Sequence, residues 1–304
     1  IHPRPSVPLQ AMLSGHARLG WLFAALLALG GCAAEEAVDE EPLGSTESEV
    51  TSGSPSTVVP GATTPGAMLS AHTTLGFPEE ATSSDAEHAL VVHKQWVSSY
   101  DSLKKNPRWT SWELTTGWMG STDRTDRWIK DGDVGFAQAS DSDYSGSGYQ
   151  RGHICPSADR TKSVTDNQNT FLFTNVVPQT AESNTAVWVS LETQERTLAR
   201  SNHVFIVAGQ IYEGAPKSIG RGVRVPSSMF KVVVVMSGAH PLPSEVTPST
   251  RVIAVEIPNT HTVSGSWTRY KTTLESLEAK TGFRFLSDVD PAVHDALATQ
   301  VDSQ

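Results

Sequence analysis

Three groups of residues between positions 148 and 196 have types and spacings suited to chemistry on a phosphate ester. The first is Gly148-Tyr149-Gln150-Arg151-Gly152-His153, followed by Cys155-Pro156-Ser157-Ala158-Asp159-Arg160. An imidazole can take a proton from water near neutral pH, and a guanidinium two residues earlier can bind phosphate oxygens in a bidentate manner. Gly152 between them lets backbone approach closely. On its own this tripeptide is also compatible with a structural histidine. The second group is Asn175, in Phe173-Thr174-Asn175-Val176-Val177-Pro178-Gln179. The third is Asn184, Trp188, Glu192 and Arg196, which recur every four residues.

The third group belongs on a helix. Residues 183–199 contain no Gly or Pro and several good helix formers, so the sequence predicts one helix there. Four residues overshoot a helical turn by roughly 40°, so Asn184 and Glu192 differ by roughly 80° around the axis and face the same way. An amide oxygen above a carboxylate, with room for water, suits a hard cation such as Mg²⁺, which keeps most of its waters. The same pattern would also serve an amphipathic helix with Trp188 in a core.

Other elements must hold these groups. A helical or extended lead-in is expected over 89–100, a strand near 109–114, and a polar Gly- and Ser-rich loop over 131–148. The segments 203–212, 230–236 and 251–257 are rich in Val and Ile and bounded by Gly, Pro and Ser, as strands are. A second helix is expected over 268–280, stopped by Thr281-Gly282. There is no regular βαβ alternation and no internal repeat, which favours an α+β arrangement over a doubly wound parallel sheet.

The 304 residues carry a formal charge of −10, contrary to the basic footprint of most nucleic-acid binders. Its distribution resolves the conflict: residues 33–87 hold eleven acids and no Lys or Arg, whereas 88–304 hold 22 acids and 21 bases. The first of these stretches is rich in Glu, Ser, Thr, Pro and Gly and reads as a flexible tether over 32–84, with the globular domain at 85–304. Before it, Arg18 precedes an apolar run at 21–29, of signal-peptide length, that ends in Leu29-Gly30-Gly31-Cys32. This resembles a bacterial lipobox, with residues 12–31 as signal peptide, Met12 as initiator, 1–11 as upstream sequence translated in error, and Cys32 as the lipidated residue. The expectation is an exported chain anchored to a membrane by lipid. Ala33 after the cysteine resembles the outer-membrane sorting pattern. With Cys32 so used, Cys155 is a lone thiol, read as a small buried filler rather than a nucleophile.

Taken together, the three groups resemble the DNA/RNA non-specific endonuclease family. The match runs through Arg151, Gly152, His153, Thr174, Asn175, Pro178, Gln179, Asn184, Trp188, Leu191, Glu192 and Arg196, with weaker similarity over 97–285. The resemblance implies a ββα-metal (His-Me finger) nuclease fold with a central, mainly antiparallel sheet flanked by helices. It implies His153 as general base, Asn184 as the one direct ligand of Mg²⁺ (or Mn²⁺), and Glu192 holding the metal's waters. Arg151 and Arg196 would bind the phosphate and neutralise its growing charge, and Asn175 would orient the site. Arg124, or alternatively Arg127, would contact substrate phosphate. The substrates would be DNA and RNA, and a homodimer, which some relatives form, is left open. One position departs: the signature's Asp is Gln150 here. Activity survives if that Asp is structural, and His153 is a weaker base if it tunes the imidazole. Two-metal phosphoesterases would show clusters of Asp and His, and zinc hydrolases a His-Glu-x-x-His pattern; neither is found. The remaining rival is a surface lipoprotein that keeps the fold to bind nucleic acid or a partner without cutting, and Gln150 is the feature that favours it.

Overall fold

A computed structural model of the chain describes residues 71–82 and 84–304. In chain order its strands are β1 (Ala89–Val92), β2 (Val97–Asp101), β3 (Asn106–Leu114), β4 (Gln150–His153), β5 (Val176–Gln179), β6 (His203–Ile211), β7 (Ser218–Ile219), β8 (Val223–Arg224), β9 (Ser228–Met236), β10 (Arg251–Pro258) and β11 (Lys271–Thr272). The α-helices are α1 (Asp141–Tyr144), α2 (Val164–Asn169), α3 (Val189–Leu198), α4 (Leu274–Thr281) and α5 (Pro291–Ala298). Seven strands form one antiparallel sheet in the order β1-β2-β3-β6-β9-β10-β11, and β4 pairs with β5 in a separate two-stranded unit. The fold is α+β, as the sequence implied.

The long central strands read as unbroken apolar runs because both of their faces are covered. On β6, Val204, Ile206 and Ala208 point into one core with Trp112, Ile154, Val177, Trp188 and Leu191. Their neighbours Phe205 and Ile211 point into a second core with Trp109, Phe230, Leu274, Leu277 and Phe285. The first core therefore fastens β4, β5 and the helix after them to one face of the sheet, and the second fastens the carboxy-terminal helices to the other.

Several expected elements change on folding. The lead-in at 89–100 is the antiparallel pair β1–β2, with Ala89 opposite Tyr100 and Val92 opposite Val97. The polar loop at 131–148 contains the single turn α1, closed by a bond from the Ser140 amide to Asp143 (2.9 Å). The helix expected at 268–280 is shorter. Residues Trp267–Tyr270 form a 3₁₀ turn and β11 pairs with β10. Only then does α4 begin, with the Thr273 hydroxyl capping Ser276 N. Gly282 ends α4 in the left-handed conformation (φ 75°), the stop that Thr281-Gly282 signalled.

The tether boundary at residue 84 also needs correction. Residues 71–82 belong to the folded domain, because Leu75 and Ala81 are buried in the second core. A mainly polar, Pro-containing segment hides such anchors, since it shows no apolar periodicity. The signal segment, Cys32 and the rest of the expected tether lie outside the described residues. Among the described residues no helix is long and apolar enough to cross a membrane.

Candidate active site

Strand β4 presents Arg151 and His153 on one face by the two-residue alternation of a strand. Gly152 between them faces β5, where a methyl group would collide with the buried Gln179 side chain. The glycine is thus required by packing across the strand pair. After His153 the chain is clamped by Asn175. The Asn175 backbone oxygen accepts from Ile154 N (3.0 Å), and its Oδ1 accepts from Cys155 N (2.9 Å). Its Nδ2 donates to the carbonyls of Cys155 (2.8 Å) and Thr170 (2.9 Å). Every polar atom of this buried amide is used in holding backbone, and Asn175 is not among the residues that line the cleft. It fixes where His153 sits without touching the reacting space. Cys155 is fully buried, and burial pushes its thiol up to about 12, so it stays protonated.

The imidazole of His153 lies against Trp128 (ring centroids 4.7 Å apart) and edge-on to Phe171 (4.7 Å). Among the described residues Nε2 is enclosed without a hydrogen-bond partner, which leaves Nδ1 as the nitrogen available to the cleft that His153 lines. Burial, with a smaller contribution from the Arg124 guanidinium, lowers the pKa of the ring to about 3. The ring is therefore neutral at physiological pH and its lone pair is free.

Asn184 and Glu192 come from the segment expected as one regular helix. The structure divides it into a π-helical turn, Ser183–Trp188, and α3. Wide turns of this kind are concentrated at functional sites, and here one carries Asn184. Its Nδ2 donates to Gln150 Oε1 (2.8 Å), so the residue that replaces the signature's Asp contacts Asn184 and makes no hydrogen bond with His153. Glu192 is buried, and among the described residues its carboxylate has neither a hydrogen bond nor an ion pair. Burial raises its pKa to about 8, with Lys231 opposing the shift. Beneath it, the fully buried Lys231 bonds Glu195 (3.1 Å) and lies over the Trp188 ring at 4.3 Å. This pair fixes the underside of α3.

These side chains share one open cleft of about 770 Å³, whose wall includes Arg124, Gln150, Arg151, His153, Asn184, Glu192 and Arg196. Arg127, the alternative to Arg124, does not line it. Each cleft arginine is held by an acid. Arg151 pairs with Asp141 on α1 and lies over Trp128 (5.1 Å), Arg196 bonds Asp159 (3.0 Å), and Arg124 bonds Asp126 (2.6 Å) and Ser157 Oγ (3.0 Å). Sequence reasoning missed Trp128 and Asp141 in the wall, since they stand outside any spaced motif, and gave Tyr149, which lies within the first group, no role. The donor set fits a hard divalent cation. Among the described residues Asn184 Oδ1 is left free by the bond that its Nδ2 makes, and the buried Glu192 carboxyl has no ion-pair partner. A second group of possible ligands, His93, Asp131 and Asp133, lies apart from this wall. There Asp131 Oδ2 is already committed to His93 Nε2 (2.7 Å) and Thr174 Oγ1 (2.7 Å), a structural brace for the strand that follows Asn175.

Comparison with known proteins identifies the fold and the family. A nuclease of Nostoc sp. is 39% identical over 240 residues, covering 77% of this chain and 87% of its own length. Human mitochondrial endonuclease G is 28% identical over 220 residues, 66% of this chain and 70% of its own. The solved EndoG/EndoGI complex shares the fold, with a TM-score of 0.64 at 24% identity over 75% of this chain and 96% of the matched chain. A sequence model of DNA/RNA non-specific endonucleases matches residues 76–292, so the chain belongs to the DNA/RNA non-specific endonuclease family.

Proposed function

We propose that this nuclease hydrolyses phosphodiester bonds of both DNA and RNA, using one Mg²⁺, replaceable by Mn²⁺. Asn184 would hold the cation directly and Glu192 would hold its waters. The observation that carries the reading is the meeting, in one cleft, of a neutral His153, three arginines, and an Asn184 Oδ1 and a Glu192 that have no partner among the described residues.

When bound, the cation polarises the scissile phosphate and offsets charge on the leaving 3′ oxygen. His153 Nδ1 takes the proton of a water that attacks phosphorus in line, and the enclosure of its ring by Trp128 and Phe171 fixes the direction of the lone pair. Arg151 and Arg196 neutralise charge that grows on the phosphate oxygens. Arg124 binds a phosphate of the same strand. Contacts of this kind read backbone and not base edges, which suits cleavage without sequence preference and affinity that falls as salt rises. Plasmid nicking in Mg²⁺ and in EDTA, with H153A beside the unmutated chain, tests the reading. Nicking that needs the cation and is lost in H153A is expected; no nicking by the unmutated chain in Mg²⁺ overturns it.

Export and lipid anchorage of the chain at Cys32, with outer-membrane sorting, rest on the sequence pattern alone. Labelling with a fatty-acid precursor would detect the acyl group, and C32S should abolish it.

A further inference from the structure

We propose that Gln150 is a positioning residue that decides which end of the Asn184 amide faces the cation; this rests on the metal reading above. The two ends of an asparagine amide are nearly equal in size and opposite in function, one an acceptor and the other a double donor. Only the oxygen can bind a cation. A rotation of Asn184 by half a turn would aim an NH₂ group at the metal position while disturbing the packing hardly at all. The π-helical turn that carries Asn184 does not by itself prevent this, because it fixes backbone and not the terminal amide.

Gln150 supplies the missing constraint. It opens β4, its Cα is paired with that of Gln179 on β5, and its Oε1 accepts from Asn184 Nδ2 at 2.8 Å. With the donor end engaged, Oδ1 is the end left over. The control is incomplete, because Gln150 is itself an amide. If both amides turned together, Gln150 Nε2 could donate to Asn184 Oδ1 and the bond would survive with the wrong end free. A carboxylate at position 150 has no donor and permits one orientation only. The Asp of the family signature and the Gln of this chain thus share the acceptor and differ in how strictly it is enforced. The neutral amide also adds no negative charge beside the cation. Both differences make cation affinity in this chain lower than a carboxylate at position 150 would give.

The test is a Mn²⁺ titration of the full chain without nucleic acid, followed by the electron paramagnetic resonance of the free ion, with melting curves as a folding control. The variants are Q150L, Q150E, N184A and the double variant Q150E/N184A. Removal of an outer partner of a metal ligand typically weakens binding about 10–100-fold, and this is expected for Q150L. Q150E should bind at least about tenfold more tightly than the unmutated chain, and the gain should vanish in Q150E/N184A because it acts through Asn184. Unchanged affinity in a normally folded Q150L, or a gain in Q150E that persists without Asn184, would overturn the assignment. If N184A itself binds Mn²⁺ as the unmutated chain does, the metal reading fails, and this inference falls with it.

Discussion

Arg196 and Asp159 form an ion pair at the base of the cleft, with Nη1 3.0 Å from Oδ1, and only the arginine reaches solvent. Asp159 is fully buried and takes a second bond from the Trp112 indole (3.0 Å). R196A would leave this carboxylate without its cation. The expected loss is about 3 kcal/mol of stability, in line with other broken buried pairs, along with lower activity. D159N keeps the shape and should cost less stability, but frees Arg196 from its orientation. Denaturant unfolding and nicking rates measured on both variants check the two effects; equal stability of R196A and the unmutated chain would count against a structural share for this pair.

Glu192 shows the opposite situation, a buried carboxylate with no partner among the described residues. E192Q should raise the melting temperature of the metal-free chain by roughly 2–4 °C, the shift expected from about 1 kcal/mol in a domain of this size. It should also remove the stabilisation that Mg²⁺ gives the unmutated chain. Thermal melts in EDTA and in Mg²⁺ read both changes, and a destabilised E192Q in EDTA would contradict the account.

A methyl group on Gly152 would meet the Gln179 side chain, whose two amide atoms are buried without partners among the described residues. G152A should therefore lose about 1–3 kcal/mol by overpacking. Shortening the neighbour relieves the clash, so G152A/Q179A should be more stable than G152A alone. Chemical denaturation of the single and double variants gives the sign directly.

Acid stability should depend on Asp143. Burial pushes its carboxyl up, but bonds from the Arg221 amide (2.8 Å), the Ser140 hydroxyl (2.7 Å) and the Arg221 guanidinium more than offset this and hold it at about 2 instead of the ordinary 3.8. A depressed carboxyl stabilises the fold fully above its unfolded pKa and ceases to do so as pH falls through the folded value. The unmutated chain should therefore lose stability between about pH 3.8 and 2, and D143N should lose less over that window while being weaker above it. Urea midpoints from pH 5 down to 2 measure the difference.

The parts of the fold that could be read from sequence are those where one physical rule dominates. The Val-rich strands at 203–211, 228–236 and 251–258 announce themselves because both of their faces are buried. Gly282 was legible because its backbone conformation nearly demands that residue. The π-helical turn at Ser183–Trp188 was not, since the residues there are compatible with an ordinary helix. The same turn replaces the regular spacing from which the Asn184–Glu192 alignment was argued, although both residues do line the cleft. His153, Asn184 and Arg196 stood out by spacing. Trp128 and Asp141 act through contacts across the fold, which a linear pattern does not record. Asn175 was visible, but its work as a clamp on the Cys155 backbone could be recognised only from its four bonds.

The seven-stranded sheet has two margins, and they are protected to different degrees. One is β11, only two residues long; the other is β1, four residues long, where Leu90 N is already engaged by Thr82 O (3.3 Å) from the segment that precedes the strand. Long bare margins invite other chains to add strands to them, the first step toward fibrils and precipitates. At the β1 margin the preceding segment takes up backbone that a second sheet would need, whereas β11 covers only Ala254 and Val255 of β10, so the β1 margin is the better protected of the two.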